Sequence, residues 1–136
     1  MQVMKKITLL TMLLASSSLT LAEQDPLLQT QTSSQAFHQT WEIFSEAIAA
    51  SLKMTQSSAK SLSDIDALCK NVHDFKIFLS NNQKYKAEFK QIQQNLPNPV
   101  SMRELIWHLT QFELEYQQDC MDAEQYMKDL KKLPIE

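Results

Sequence analysis

Glycine is absent from this chain of 136 residues, which also has only four prolines and two cysteines. Tight hairpin turns, phosphate-binding loops and the strained turn that carries a catalytic serine all rely on glycine. Its absence therefore argues against hairpin-rich β folds, P-loop and dinucleotide-binding folds, and α/β-hydrolases. Residues that favour helices, such as glutamine, lysine, glutamate, leucine and alanine, are plentiful. We expect an all-α protein.

The first 22 residues have the pattern of a secretory signal peptide. A short basic start with Lys5 and Lys6 precedes a run of 16 apolar and small residues, ITLLTMLLASSSLTLA, that ends at Ala22. A membrane-spanning helix needs about 20 mainly apolar residues, so a membrane anchor is the weaker interpretation. We expect cleavage near Ala22, export to the periplasm or the medium, and no membrane insertion after cleavage.

Residues 23–136 would then form the mature chain of 114 residues, which is the size of one domain. Loss of Lys5 and Lys6 lowers the number of basic residues from 13 to 11, against 16 acidic residues, so the net charge becomes −5. Nucleic-acid binding requires many basic side chains that neutralise phosphates, so this charge argues against a nucleic-acid partner. Residues 23–34 are polar and lack a helical period, which predicts a flexible lead-in to a single helical domain at 35–136.

Apolar residues after the lead-in recur at intervals of three and four, which is the spacing of one face of a helix. Four such stretches are present, at about 35–60, 63–80, 83–95 and 101–132. Asn81-Asn82 lies between the second and the third, and asparagine tolerates the left-handed conformation that closes many helices. The short connections predict a small four-helix bundle-like domain.

Two helix starts carry the signal of a capping box, in which a serine and an acid three residues later exchange hydrogen bonds with the backbone. Ser63 with Asp66 predicts the start of the second helix, and Ser101 with Glu104 predicts the start of the last. The last helix would be about 45 Å long at 1.5 Å per residue.

The two cysteines, Cys69 and Cys120, lie beside or on the apolar faces of the second and fourth predicted helices. Two cysteines in an exported protein usually oxidise to each other, so we expect a disulfide that joins helices two and four as neighbours. His73 follows Cys69 by one helical turn, which also allows a thiolate beside its base or half of a zinc site. If a disulfide forms, His73 should approach Glu124 in a parallel arrangement of the two helices and Tyr116 in an antiparallel one.

Three acids of the last helix, Glu115, Asp119 and Asp122, share one side of it. Like charges at this spacing repel one another unless a cation meets them. They form a solvated face that pairs partly with lysines of the second and third helices, a docking surface for a basic protein, or a weak divalent-cation site. We predict the docking role, in which the protein binds another protein without catalysis. It would act as an accessory or chaperone-like factor, or as an inhibitor or immunity-type protein.

The alternative function is a small-ligand or haem-binding helical bundle. His108 lies next to Trp107, and a histidine with a methionine inside a bundle can hold haem iron. The candidate methionines are Met54, Met102, Met121 and Met127. The motifs C-x-x-C-H and H-E-x-x-H are absent. We therefore expect no enzymatic activity, no catalytic residue, no cofactor and no metal.

Overall fold

The computed structural model describes residues 25–57 and 60–134, and within these ranges the protein is all-helical, without a β-strand. The helices are α1 (Ser34–Thr55), α2 (Leu62–Asn81), α3 (Lys86–Gln93), α4 (Met102–Glu115) and α5 (Gln117–Lys131). Short 3-10 turns at Pro26–Leu28 and Gln83–Tyr85 precede α1 and α3. The predicted all-α fold class is confirmed. The predicted signal peptide lies outside the described residues.

Helix α2 occupies the centre of the arrangement. It contacts α1, α4 and α5, whereas the main contacts of the short α3 are with its own 3-10 turn and with α4. A disulfide between Cys69 and Cys120 joins α2 to α5 with the two Cα atoms 5.9 Å apart. The predicted disulfide is therefore confirmed. His73 lies one turn after Cys69 on α2, and it contacts Glu113, which precedes Cys120 in the chain. Helix α2 therefore runs antiparallel to α4 and α5.

A core of aromatic rings fills the space between α1, α2 and α3. The rings of Phe37 and Phe78 are fully buried and stack with their centroids 5.4 Å apart. Trp41 packs against Phe75 at 5.3 Å and edge-on against Phe89 at 5.1 Å. Aromatic pairs at such separations contribute about 0.5–1.5 kcal/mol beyond the burial of their surface. The aromatic core therefore supplies strong packing on this side of α2.

The segment before α1 is attached to the end of α2 by the fully buried side chain of Asn82. Asn82 Nδ2 donates to the backbone carbonyls of Phe78 at 2.8 Å and Gln29 at 3.0 Å, and Oδ1 accepts from the backbone N–H of Gln31 at 2.7 Å. Both ends of the buried amide are thus engaged. The polar composition of residues 23–34 gave no indication of these contacts.

The start of α2 differs from the prediction. Its capping box consists of Ser61 and Asp64, not of Ser63 and Asp66. Ser61 Oγ accepts from the Asp64 backbone N–H at 3.3 Å, and the Asp64 carboxylate accepts from the Ser61 backbone N–H at 3.0 Å. Both serine–acid pairs have the same spacing, so the local sequence could not show which of them caps α2. Asp66 is instead buried two residues further along α2, where it pairs with Lys70 at 3.2 Å.

Two other helix ends also depart from expectation. The left-handed conformation expected at Asn82 is wrong, because its φ is −122°. The end of α2 carries instead the hydrogen-bonded side chain of Asn82. Helix α1 ends at Thr55, about five residues before the predicted end. The residues that follow include serines, which favour helix ends because their hydroxyls compete for backbone hydrogen bonds. The capping box of Ser101 and Glu104, by contrast, is confirmed, with hydrogen bonds of 3.0 and 2.9 Å.

The predicted last helix is two helices, with a break at Tyr116, where φ is −106° and ψ is 22°. No proline or glycine marks the break. Both halves contact α2, which has 20 residues and is therefore about 30 Å long. A straight helix of about 45 Å could not lie along α2 over its whole length. The disulfide consequently joins the second helix to the fifth.

Candidate functional site

Helices α4 and α5 lie on α2 with little burial of their own side chains. Within the described structure, α4 buries Met102 and α5 buries Ala123. Three large apolar side chains remain mostly exposed, namely Trp107 at 58%, Leu114 at 63% and Met121 at 55%. Trp107 and Leu114 are seven residues, or nearly two turns, apart on α4 and share one face. Leu114 and Met121 lie on either side of the break at Tyr116 and both line the groove between α2 and the α4–α5 pair. We refer to these three residues as the apolar row.

The predicted acids Glu115, Asp119 and Asp122 are all exposed, and we refer to them as the acidic row. Among the described residues, no cation lies within ion-pair distance of them. Asp122 accepts a hydrogen bond of 2.8 Å from Gln118 Nε2. Glu115 follows Leu114 on α4, and Asp122 follows Met121 on α5. Neighbouring residues on a helix lie about 100° apart, so on each helix an acid of the acidic row lies beside a member of the apolar row. A partner could therefore contact both rows at once.

Glu113 belongs to the same run of acids but faces α2. Its carboxylate accepts hydrogen bonds from Lys76 Nζ and, at 2.8 Å, from His73 Nδ1. Partial burial raises the pKa of Glu113, but the hydrogen bonds from Lys76 and His73 outweigh it and bring the pKa below its usual value. The expected pairing of helix acids with lysines of α2 thus holds for Glu113 and not for the acidic row.

The groove beside this contact has a volume of about 540 Å³ and lies between α2 and the α4–α5 pair. Its lining includes both cysteines of the disulfide, Cys69 and Cys120, and the side chains of His73, Asp74 and Glu113. Burial raises the pKa of Asp74. Because Cys69 is oxidised, the alternative of a thiolate beside a histidine base is wrong in this structure. His73 contacts Glu113 instead.

His108 is exposed, and its ring meets that of Trp107 with the centroids 5.1 Å apart. The methionines considered with it lie in different surroundings, because Met102 belongs to the buried core whereas Met54 is more than half exposed. Across residues 25–57 and 60–134, no three His, Cys, Asp or Glu side chains are placed to hold a metal. Nothing in this geometry favours the haem alternative.

The membrane-spanning potential of the helices can be judged for the same part of the chain. Within it, no helix combines the length and the apolar composition needed to cross a bilayer.

No protein-family model, curated protein or solved structure matches the chain.

The two rows differ in how visible they are from sequence. The acidic row follows a helical period of four and three residues, and this period led to its prediction. The apolar row was missed, because Trp107, Leu114 and Met121 lie outside the apolar stripe that was followed along the last predicted helix. The seven-residue interval is the signal that could have found Trp107 and Leu114 on α4, whereas Met121 lies beyond the break at Tyr116.

Proposed function

We propose that this protein binds a basic protein, without catalysis, through the exposed surface formed by the acidic and apolar rows of α4 and α5. The observation that carries the proposal is the adjacency of three acids without ion-pair partners, among the described residues, to three large exposed apolar side chains. Contiguous exposed apolar surface bordered by polar residues is typical of protein interaction sites. Unpaired like charges add an electrostatic attraction for a cationic partner.

The partner chemistry follows from the two rows. Lysine or arginine side chains would meet the acidic row, and apolar side chains beside them would cover Trp107, Leu114 and Met121. The disulfide that holds α5 on α2 keeps this surface in one arrangement before binding, which reduces the entropy lost on association. Such a surface suits an inhibitor or immunity-type protein that captures one folded partner. It also suits an accessory or chaperone-like factor that holds unfolded basic segments.

We also propose that the protein is exported to the periplasm or secreted after cleavage near Ala22. The disulfide supports this proposal, because such bonds persist mainly in oxidising compartments. Mass measurement of the protein recovered from the cell envelope tests it. A mass matching residues 23–136 less two hydrogens is expected. A full-length reduced chain that stays in the cytoplasm would contradict export.

Charge reversal tests the proposed surface. The variant Glu115→Lys with Asp119→Lys should capture the partner at least about tenfold less from an envelope extract, because attraction becomes repulsion. The matched control is Glu42→Lys with Glu46→Lys, which reverses two exposed acids four residues apart on α1. Quantitative mass spectrometry of proteins captured by wild type, variant and control is the measurement. Equal losses in variant and control would remove the acidic row from the proposal.

The apolar row is tested separately. Leu114→Ala with Met121→Ala should weaken capture of the same partner by at least about tenfold if these side chains are covered in the complex. Ile43 and Leu52 of α1 are also exposed, and their replacement by alanine is the matched control. High salt should weaken the wild-type complex, since part of the attraction is electrostatic. Capture that survives loss of the apolar row would limit the interface to charge.

A further inference from the structure

A second opening, with a volume of about 720 Å³, lies between α3 and the start of α4. Its lining includes the side chains of Phe89 and Met102, both of which belong to the buried core. Ala87, Pro99 and Val100 add further apolar surface. The volume falls within the range of roughly 300–1,000 Å³ that is typical of small-molecule sites. We refer to this opening as the α3–α4 pocket.

One buried polar side chain lines the α3–α4 pocket. Gln93 is only 5% exposed, and its Oε1 accepts a hydrogen bond of 3.3 Å from the backbone N–H of Val100. Its Nε2 has no hydrogen-bond partner among the described residues. Solvent reaches this nitrogen, so an oxygen of a ligand that enters the pocket can accept a hydrogen bond from it.

Two cations, Lys86 and Lys90, also line the pocket and lie one turn apart on α3. Both are exposed, and neither takes part in an ion pair within the described structure. Like charges four residues apart on a helix repel each other. Glu88 lies between them in sequence, but its carboxylate accepts a hydrogen bond from the Ser34 hydroxyl of α1. An anion at the pocket entrance would relieve the repulsion.

We propose that the α3–α4 pocket binds a single-chain amphiphile with an anionic head group. The alkyl chain lies along Ala87, Pro99 and Val100, above the buried core. The head group lies near Lys86 and Lys90, and Gln93 Nε2 donates a hydrogen bond to an oxygen of the ligand. The pocket uses residues of α3 and the start of α4, so this proposal is independent of the protein-binding surface. Fatty acids and alkyl phosphates share the required chemistry.

The core provides a fluorescent reporter for this pocket. Trp41 packs edge-on against Phe89, a lining residue, and Trp107→Phe leaves Trp41 as the single tryptophan. The oxidised protein with this substitution is titrated with decanoate, decyl phosphate and decanol below their aggregation concentrations. Saturable one-to-one changes are expected, with decanoate or decyl phosphate bound about tenfold more tightly than decanol, because only they form charge-assisted contacts. The tighter of the two anions identifies the preferred head group.

Three variants in the same background separate the parts of the proposal. Lys86→Gln with Lys90→Gln should weaken decanoate binding about tenfold and leave decanol unchanged. The matched control, Lys53→Gln with Lys131→Gln, removes two exposed lysines from other helices and should have no effect. Ala87→Trp adds a large side chain at the exposed lining and should abolish binding of both ligands.

The proposal is overturned if decanoate and decyl phosphate give no saturable change. It is also overturned if the lysine variant weakens decanoate no more than its control does, because the anionic specificity would then be lost. Unchanged binding in the folded Ala87→Trp variant would place the ligand elsewhere. Circular dichroism and thermal unfolding of each variant establish that it retains the helical fold.

Discussion

The two sides of α2 are held together in different ways. On the side of α1 and α3, stacked rings such as Phe37 and Phe78 are fully buried. On the side of α4 and α5, most large side chains are only partly buried, and a disulfide and the contact of Glu113 with His73 and Lys76 connect the helices to α2. The first side is stabilised mainly by apolar burial and the second more by specific links.

This difference has a consequence for function. Helices with few buried contacts open more readily than a densely packed core, so α4 and α5 would be the less stable part without a link to α2. The disulfide restrains them and still leaves Trp107, Leu114 and Met121 exposed. A surface that binds a partner needs exposed apolar side chains in a fixed arrangement. The described α4–α5 surface meets both requirements.

The largest effect should come from the packed side. Phe78→Ala removes a fully buried ring that contacts Phe37 and Phe44, and should lower the free energy of unfolding by about 5 kcal/mol, near the upper end for such substitutions. Leu114→Ala on the other side should change it by less than about 0.5 kcal/mol. Urea unfolding of both variants with the disulfide intact is the measurement. Similar losses in the two variants would contradict the contrast between the two sides.

Removal of the disulfide should have the next largest effect. Cys69→Ala with Cys120→Ala opens a loop of about 52 residues, for which the chain-entropy relation predicts a loss of about 4 kcal/mol. The loss should be uneven, because α1 to α3 keep the aromatic core. Hydrogen exchange followed by mass spectrometry should show that protection falls more in α4 and α5 than in α1 and α2. An equal fall in both regions would indicate that the two sides unfold as one unit.

The same division describes what could be predicted from sequence. Helices were found because apolar periodicity is local, and the disulfide was found because two cysteines leave one intramolecular pairing. The break at Tyr116 was missed, since no proline or glycine marks it and its reason is contact of both halves with α2. The sequence did not indicate whether Glu113 or Glu115 faces α2, because the answer depends on how α4 packs on α2. The unpaired Nε2 of Gln93 could not be predicted either, because it also depends on helix packing.

The smallest effect concerns the ionic link on the α4–α5 side and distinguishes Glu113 from Glu115. Glu113→Gln should lower the free energy of unfolding by about 1 kcal/mol near neutral pH, because the charged hydrogen bonds from Lys76 and His73 are weakened. Glu115→Gln is the matched control, since Glu115 has no ion-pair partner among the described residues. Urea unfolding from pH 3 to pH 7 is the measurement.

The sign of the pH dependence follows from the lowered pKa of folded Glu113. An unfolded glutamate has a pKa of about 4.3, so between that value and the lower folded pKa the unfolded chain binds more protons than the folded one. The stabilisation by Glu113 is therefore complete above the unfolded pKa and is lost as the pH falls through the folded pKa. The gap between wild type and Glu113→Gln should narrow in acid, while Glu115→Gln should follow wild type throughout. A gap that stays constant with pH would show that the carboxylate charge of Glu113 does not hold α4 on α2.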